Sequence, residues 1–335
     1  MPERGNLERM DVVRKAIAAI LTGLSLAVPA AAWAEPANSA GPNSDPFKLS
    51  GAISVKYERD AADGPPTQGT MYTFRLNGEL DIGSGWSLYG RLGAQYATEP
   101  QVADFNPAAY GENQKLAVAI DQFGITYKRD KMVYKLGRQE VTIGTTALLY
   151  NHDETKIGKN VFVDGVSASG TAGAVDLFAI AAQENWDKEN KLYAIRAGFN
   201  PSQSINCGLT LGRYQYTGGG GTGHWAIDGT YKSGKASLTG EYTQSSRSTD
   251  NMGYAVILGY GFTEKLLASI THFRLESEGS MGQQSDFDSG NRGFHYGLAY
   301  KLDGASSLEV IYKDQRTISN GAKNSKLEAT LTYRF

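Results

Sequence analysis

The chain lacks most of the devices that hold an exported or soluble domain together. It has one cysteine, Cys207, in 335 residues, which excludes an internal disulfide framework. After the first thirty residues no apolar run approaches about 18 residues, so no segment reads as a transmembrane helix. An excess of one charge is also missing. Its 33 Lys+Arg stand against 35 Asp+Glu, which gives no basic surface to suit nucleic acid. The four histidines, His152, His224, His272 and His295, are too scattered for zinc ligation. None has a Ser or Asp in a recognisable catalytic signature beside it. The run Gly218-Gly219-Gly220-Gly221 is followed by no Lys-Ser/Thr and no helix, so it reads as a surface loop and not a phosphate cradle. No cofactor, metal or catalytic residue is expected.

What is present starts with a leader. Arg14 and Lys15 precede an apolar stretch over 16–28, Pro29 breaks it, and Ala32-Trp33-Ala34 offers the small-x-small pattern of a signal-peptidase site. Residues 1–34 are therefore expected to be a signal peptide, with Met10 an alternative start to Met1. Residues 35–46 form a short polar lead-in, and 47–335 form the fold.

The strongest periodicity in 47–335 is two. Tyr72, Phe74, Leu76, Leu80 and Ile82 alternate with Thr73, Arg75, Asn77, Glu79 and Asp81, and similar segments recur to the end of the chain. The pattern predicts strands near 47–58, 70–82, 86–97, 115–128, 131–143, 160–169, 173–183, 190–200, 204–216, 223–233, 235–246, 251–262, 265–276, 291–302, 306–316 and 325–335. Tight turns such as Gly83-Ser84-Gly85 and Asp303-Gly304-Ala305 alternate with longer polar connections, including 98–114, 144–159 and 277–290. Barrels of outer membranes show this asymmetry, with short periplasmic turns and longer external loops. All ten prolines fall in the leader, the lead-in, a loop or a turn. A strand paired on both sides cannot spare an N–H. Aromatics on the apolar faces fall near strand ends in two belts, Tyr57, Tyr96, Trp225 and Tyr254 among the outer ones, Trp86, Tyr127, Tyr260 and Phe335 among the periplasmic ones. The fold class expected is all-β, a transmembrane antiparallel up-and-down β-barrel of about 16 strands, with 14 to 18 compatible with the pattern.

Two motifs carry a resemblance to a known family. The chain ends Leu327-Glu328-Ala329-Thr330-Leu331-Thr332-Tyr333-Arg334-Phe335, similar to the terminal assembly signal of outer-membrane proteins, with Tyr333 and Phe335 as its aromatic members. Lys135-Leu136-Gly137-Arg138-Gln139, followed by Gly144, resembles the fifth strand of the general diffusion porins, the 16-stranded barrels whose third loop folds into the lumen. The resemblance implies that 145–159 narrows the pore and that Asp153 and Glu154 supply the acidic side of the constriction. Arg138 is carried over by motif to the basic side, while Arg75 and Arg91 match by strand position and parity. It also implies a homotrimer, assembly by the barrel-insertion machinery, outer-membrane lipid as surroundings, and small hydrophilic solutes and ions as cargo in a diderm bacterium. Without any family, the polar faces hold Lys56, Arg75, Arg91, Arg196, Lys313 and Lys326 together with Glu58, Glu79, Asp81, Asp228, Glu241, Glu309 and Glu328. So many ions cannot be buried dry, and a wet, charged lumen is a channel. A substrate-specific channel, an outer-membrane barrel enzyme and an adhesin remain the alternatives.

Overall fold

The computed structural model describes residues 46–61, 65–102, 115–153, 155–158, 161–185 and 189–335; the expected leader and residues 35–45 lie outside the described residues. The strands are β1 (Phe47–Ala61), β2 (Thr67–Gly83), β3 (Trp86–Ala97), β4 (Leu116–Arg129), β5 (Met132–Gln139), β6 (Val141–Ile143), β7 (Tyr150–His152), β8 (Val163–Ala172) and β9 (Val175–Glu184). They continue as β10 (Lys191–Ser202), β11 (Ile205–Gln215), β12 (Gly221–Ser233), β13 (Ala236–Ser245), β14 (Met252–Gly261), β15 (Leu266–Leu275), β16 (Asn291–Lys301), β17 (Ser306–Thr317) and β18 (Lys323–Arg334). All except β6 and β7 form one closed antiparallel barrel of sixteen strands, each beside its chain neighbours, with β1 paired to β18. The all-β, up-and-down barrel expected from periodicity is the observed fold.

The alternation now has a direction. Ile120, Val118, Leu136 and Ile195 are 64%, 56%, 56% and 53% exposed on the outside, whereas Thr210, Thr243 and Gln315 are 0% exposed inside. A water-soluble protein sorts its residues the other way; an apolar outer belt around a polar interior is the arrangement of a barrel in lipid. Aromatic contacts run across neighbouring strands, as in the chain Tyr254–His272–Phe294–Tyr296–Tyr312 on one rim and Trp86–Tyr127–Tyr134 on the other.

Three departures from simple pairing shape the interior. The strand expected over 131–143 stops at Gln139, and Val141–Ile143 leaves the wall to pair with Tyr150–His152 in a separate hairpin. In β4 the register skips, with Arg91 opposite Gln122 and Leu92 opposite Ile120. Asp121 is the extra residue of this bulge, so Asp121 and Gln122 both turn inward. Pro201, placed in a turn from sequence, falls in the irregular end of β10, past the last regular pair Phe199↔Cys207.

The seam between first and last strands is closed by the chain terminus. Gly51 donates to the carbonyl oxygen of Phe335 at 2.8 Å and Phe335 donates back to Gly51 at 3.1 Å. The Phe335 ring lies over Gly51, where a Cβ would come within 2.5 Å of both the Phe335 Cζ and the Arg75 carbonyl oxygen.

Candidate functional site

A barrel of this width leaves an interior that wall side chains cannot fill, and among the described residues two loops enter it. The first spans 140–162. Gly144 has φ +98, and a Cβ there would stand 2.0 Å from Glu241 Oε1, so only glycine lets the chain pass the wall carboxylate. At the tip, Thr146 donates its backbone N–H and its hydroxyl to Glu241 Oε2 at 2.7 and 2.9 Å, and Thr145 donates its hydroxyl to Asp228. Asp228 and Glu241 are register partners on β12 and β13. Arg196 Nε compensates Asp228 at 3.0 Å. Leu149 and Tyr150 are fully buried with Ile180, Leu192, Tyr214 and Met281, and Leu148 with Ala255, Phe273 and Phe287. The Tyr150 hydroxyl donates to Glu184 Oε1 at 3.0 Å, while Tyr214 and Asn190 serve Oε2. Burial, followed by the neighbouring Glu184 carboxylate, raises the Tyr150 phenol well above its ordinary range. The returning limb is tied to the opposite wall. Arg91 makes a two-pronged pair with Asp121 at 2.7 and 2.8 Å, donates to the Lys156 carbonyl oxygen at 2.7 Å and lies over the Phe162 ring, and Gly158 N–H donates to Asp121 at 3.2 Å.

The second inward loop is 276–290. It runs beside the β6–β7 hairpin and is bonded to it through the backbone. Asn151 N–H donates to the Gln284 carbonyl at 2.7 Å, Met281 N–H to Leu149 at 2.9 Å and Asp286 N–H to Ala147 at 3.1 Å. His152 Nε2 and Gln284 Oε1 are 2.9 Å apart. Burial pushes the His152 imidazole down to about 4, against the hydrogen bond to Gln284. Met281 is fully buried and Phe287 nearly so. The sequence places 277–290 among the external loops; the structure moves it inside, because Met281 and Phe287 give it apolar anchors and the hairpin offers it unpaired backbone.

The wall formed by β17, β18 and β1 carries a ladder of alternating ions. Lys56 lies 3.1 Å from Glu58 and 3.2 Å from Glu328, Lys313 2.8 Å from Glu328, and Lys326 3.1 Å from Glu58 and 3.6 Å from Asp60. Each partner sits on the inner face, where the period-two pattern puts it.

The residues expected at the constriction are dispersed. Arg75 and Arg91 face inward from adjacent strands, both nearly buried. Arg91 is engaged by Asp121 and the first loop. Asp153 turns back on its own loop, accepting from Thr155 N–H at 2.9 Å, Thr155 hydroxyl at 2.6 Å and Asn151 at 3.3 Å. Burial works to raise its carboxyl, and these hydrogen bonds outweigh it, leaving the value lowered. Glu154 lies outside the described residues. Arg138 corrects the motif. It shares the face of Tyr134 and Leu136, both exposed on the outer belt, and pairs there with Asp164 at 2.9 Å while its guanidinium lies over Phe123. The strict alternation of β5, which has no bulge against β4, fixes this outward orientation. Asp121 was missed because an unbulged β4 makes it outward or inward according to which end one counts from.

A closed sixteen-stranded barrel, apolar outside and polar within, has the architecture of the outer-membrane barrels. Within that class, the chain has a general diffusion porin-type fold. Three engineered variants of the Rhodopseudomonas blastica porin are similar to it. A triple variant shares 10% identity at a TM-score of 0.57, a five-substitution variant 10% at 0.58, and a double variant 11% at 0.58. In each case the match covers 86% of this chain and 100% of the porin. No family model matches the sequence, and no curated protein matches it by sequence.

Proposed function

We propose that this chain is an exported outer-membrane channel for passive diffusion of small hydrophilic solutes and ions. The observation that carries the reading is the ion-lined interior of a barrel whose outside is apolar. An ion costs several kcal/mol when removed from water without compensation, so the ladder of Lys56, Glu58, Lys313, Lys326 and Glu328 calls for a hydrated lumen. The first inward loop, with Arg75 and Arg91 on the wall beside it, narrows that lumen. Three of the four histidines are held in packing or hydrogen-bonding roles that support transport over catalysis. His152 is held by Gln284, His295 stacks on Phe287 and meets Phe273 at a tilt, and His272 packs outward between Tyr254 and Phe294. Single-channel recording of the purified protein in a planar bilayer tests the reading. Discrete ohmic steps are expected, and absence of conductance from folded protein overturns it. Saturable flux restricted to one solute would favour a substrate-specific channel instead.

We further read the protein as a homotrimer in outer-membrane lipid, inserted by the barrel-assembly machinery with Tyr333 and Phe335 as its signal. The Arg138–Asp164 pair supports the trimer. It stands on the apolar belt between Phe123, Leu136 and Val166, where an arginine facing lipid near the midplane costs about 2–4 kcal/mol. A neighbouring copy covering β4, β5 and β8 removes that cost.

A further inference from the structure

The second inward loop brings carboxylates into the sector of the lumen that holds the lysine ladder. Asp286 and Asp288 are exposed to the interior on either side of the buried Phe287. Phe287 packs with Leu148, Ala255 and Phe273 and stacks on the His295 ring at 5.5 Å, so the flanking carboxylates are held in place by an anchored neighbour. Asp288 accepts from Gln315 Nε2. Gln315 and Lys313 are successive inward residues of β17, about 7 Å apart along a strand. Lys313 is the register partner of Lys326 on β18, and both reach Glu328 or Glu58 together with Lys56. Asp286 is fixed from the other side, 3.5 Å from Asn151 Nδ2 of the first loop, with its backbone N–H on Ala147. Meanwhile Arg91 is neutralised by Asp121 and Arg138 lies outside, so neither adds uncompensated charge to the lumen.

We propose that Asp286 and Asp288, set against Lys56, Lys313 and Lys326, are the charge-selecting residues of the pore. The inference rests on the channel reading above. The ladder alone already pairs its three lysines with Glu58, Asp60 and Glu328, and Glu309 faces the same space. The two aspartates therefore leave this sector with an excess of negative charge. The pore favours small cations over anions, and zwitterionic solutes cross with their ammonium end toward 276–290 and their carboxylate toward the lysines.

The test is the reversal potential of the full-length protein in a planar bilayer under a potassium chloride gradient. The parent is expected to prefer potassium. Asp286→Asn with Asp288→Asn should lower the potassium-to-chloride permeability ratio at least twofold, and Lys313→Gln should raise it. Both effects should shrink near 1 M salt, where the screening length falls to about 3 Å. Asparagine keeps the shape and hydrogen bonding of each aspartate, and single variants repeat the measurement should the double variant not fold. Variants that conduct with the parent ratio overturn this inference alone. A folded parent that passes no ions overturns the channel reading and this inference with it.

Discussion

Among the described residues, Arg91 and Asp121 form the most enclosed ion pair of the lumen, with side chains 3% and 0% exposed. Removing one partner of such a pair leaves an uncompensated charge, at about 3–5 kcal/mol. Asp121→Asn is expected to lower the denaturant midpoint and, because Gly158 and Lys156 hang on the same pair, to increase open-channel current noise. An unchanged midpoint would show that the pair does not anchor the loop. His152 sets a pH dependence. Its imidazole would take a proton near 6.5 in a released loop but only at about 4 in the clamped one. The unclamped state therefore binds more protons, and the clamp is at full strength above about 6.5 and weakens as pH falls toward about 4. From the same loop Lys156 lowers the imidazole, while Asp153 and a backbone bond to Val161 raise it. Between about pH 7 and 5, above the ordinary carboxylate range, conductance should rise on acidification in the parent and rise less in His152→Gln. A parent conductance independent of pH in that window would discount the clamp.

The β6–β7 hairpin and 276–290 behave as one element, since each supplies backbone partners the other needs. Met281 and Asp286 lose their acceptors when the hairpin is removed, so an unpaired N–H would be left on each. Deleting 145–152 is expected to raise single-channel conductance and admit larger sugars, and to render 276–290 accessible to protease. A deletion variant that folds with the parent conductance and size cutoff would place the hairpin outside the conducting path. The seam makes a second prediction. A side chain at Gly51 meets the Arg75 carbonyl and the Phe335 ring within 2.5 Å, so Gly51→Val should reduce the yield of heat-modifiable barrel as severely as Phe335→Ser. Normal assembly of both variants would mean that the seam tolerates rearrangement.

At the scale of the whole molecule, the outward Arg138 is expected to bear on the proposed trimer and not on permeation. Arg138→Leu leaves Asp164 alone on the outer belt and is expected to lower the temperature at which trimers dissociate on semi-native gels. The reversal potential should stay at the parent value, because the side chain never faces the lumen. A shifted reversal potential with intact trimers would place Arg138 inside the pore. The barrel itself tolerates this change, since its sixteen strands are held by backbone ladders that no side chain supplies.

The amino-acid sequence alone determined the barrel. Period two needs only the local geometry of a strand, and the tight turns need only local chemistry, so Phe47–Ala61, Trp86–Ala97 and Lys323–Arg334 fall where alternation puts them. The inward face of Lys56, Glu58, Lys313, Lys326 and Glu328 follows from the same parity. Tertiary structure decided what parity cannot see. A single bulge at Asp121 reverses the count along β4, whereas Arg138 lies outward where the parity of β5 puts it, against the reading its motif gives. The path of 276–290 was decided by contacts with a hairpin more than a hundred residues earlier in the chain. A loop's destination depends on the partners waiting for its backbone and its apolar anchors, and those partners come together only once the barrel has closed.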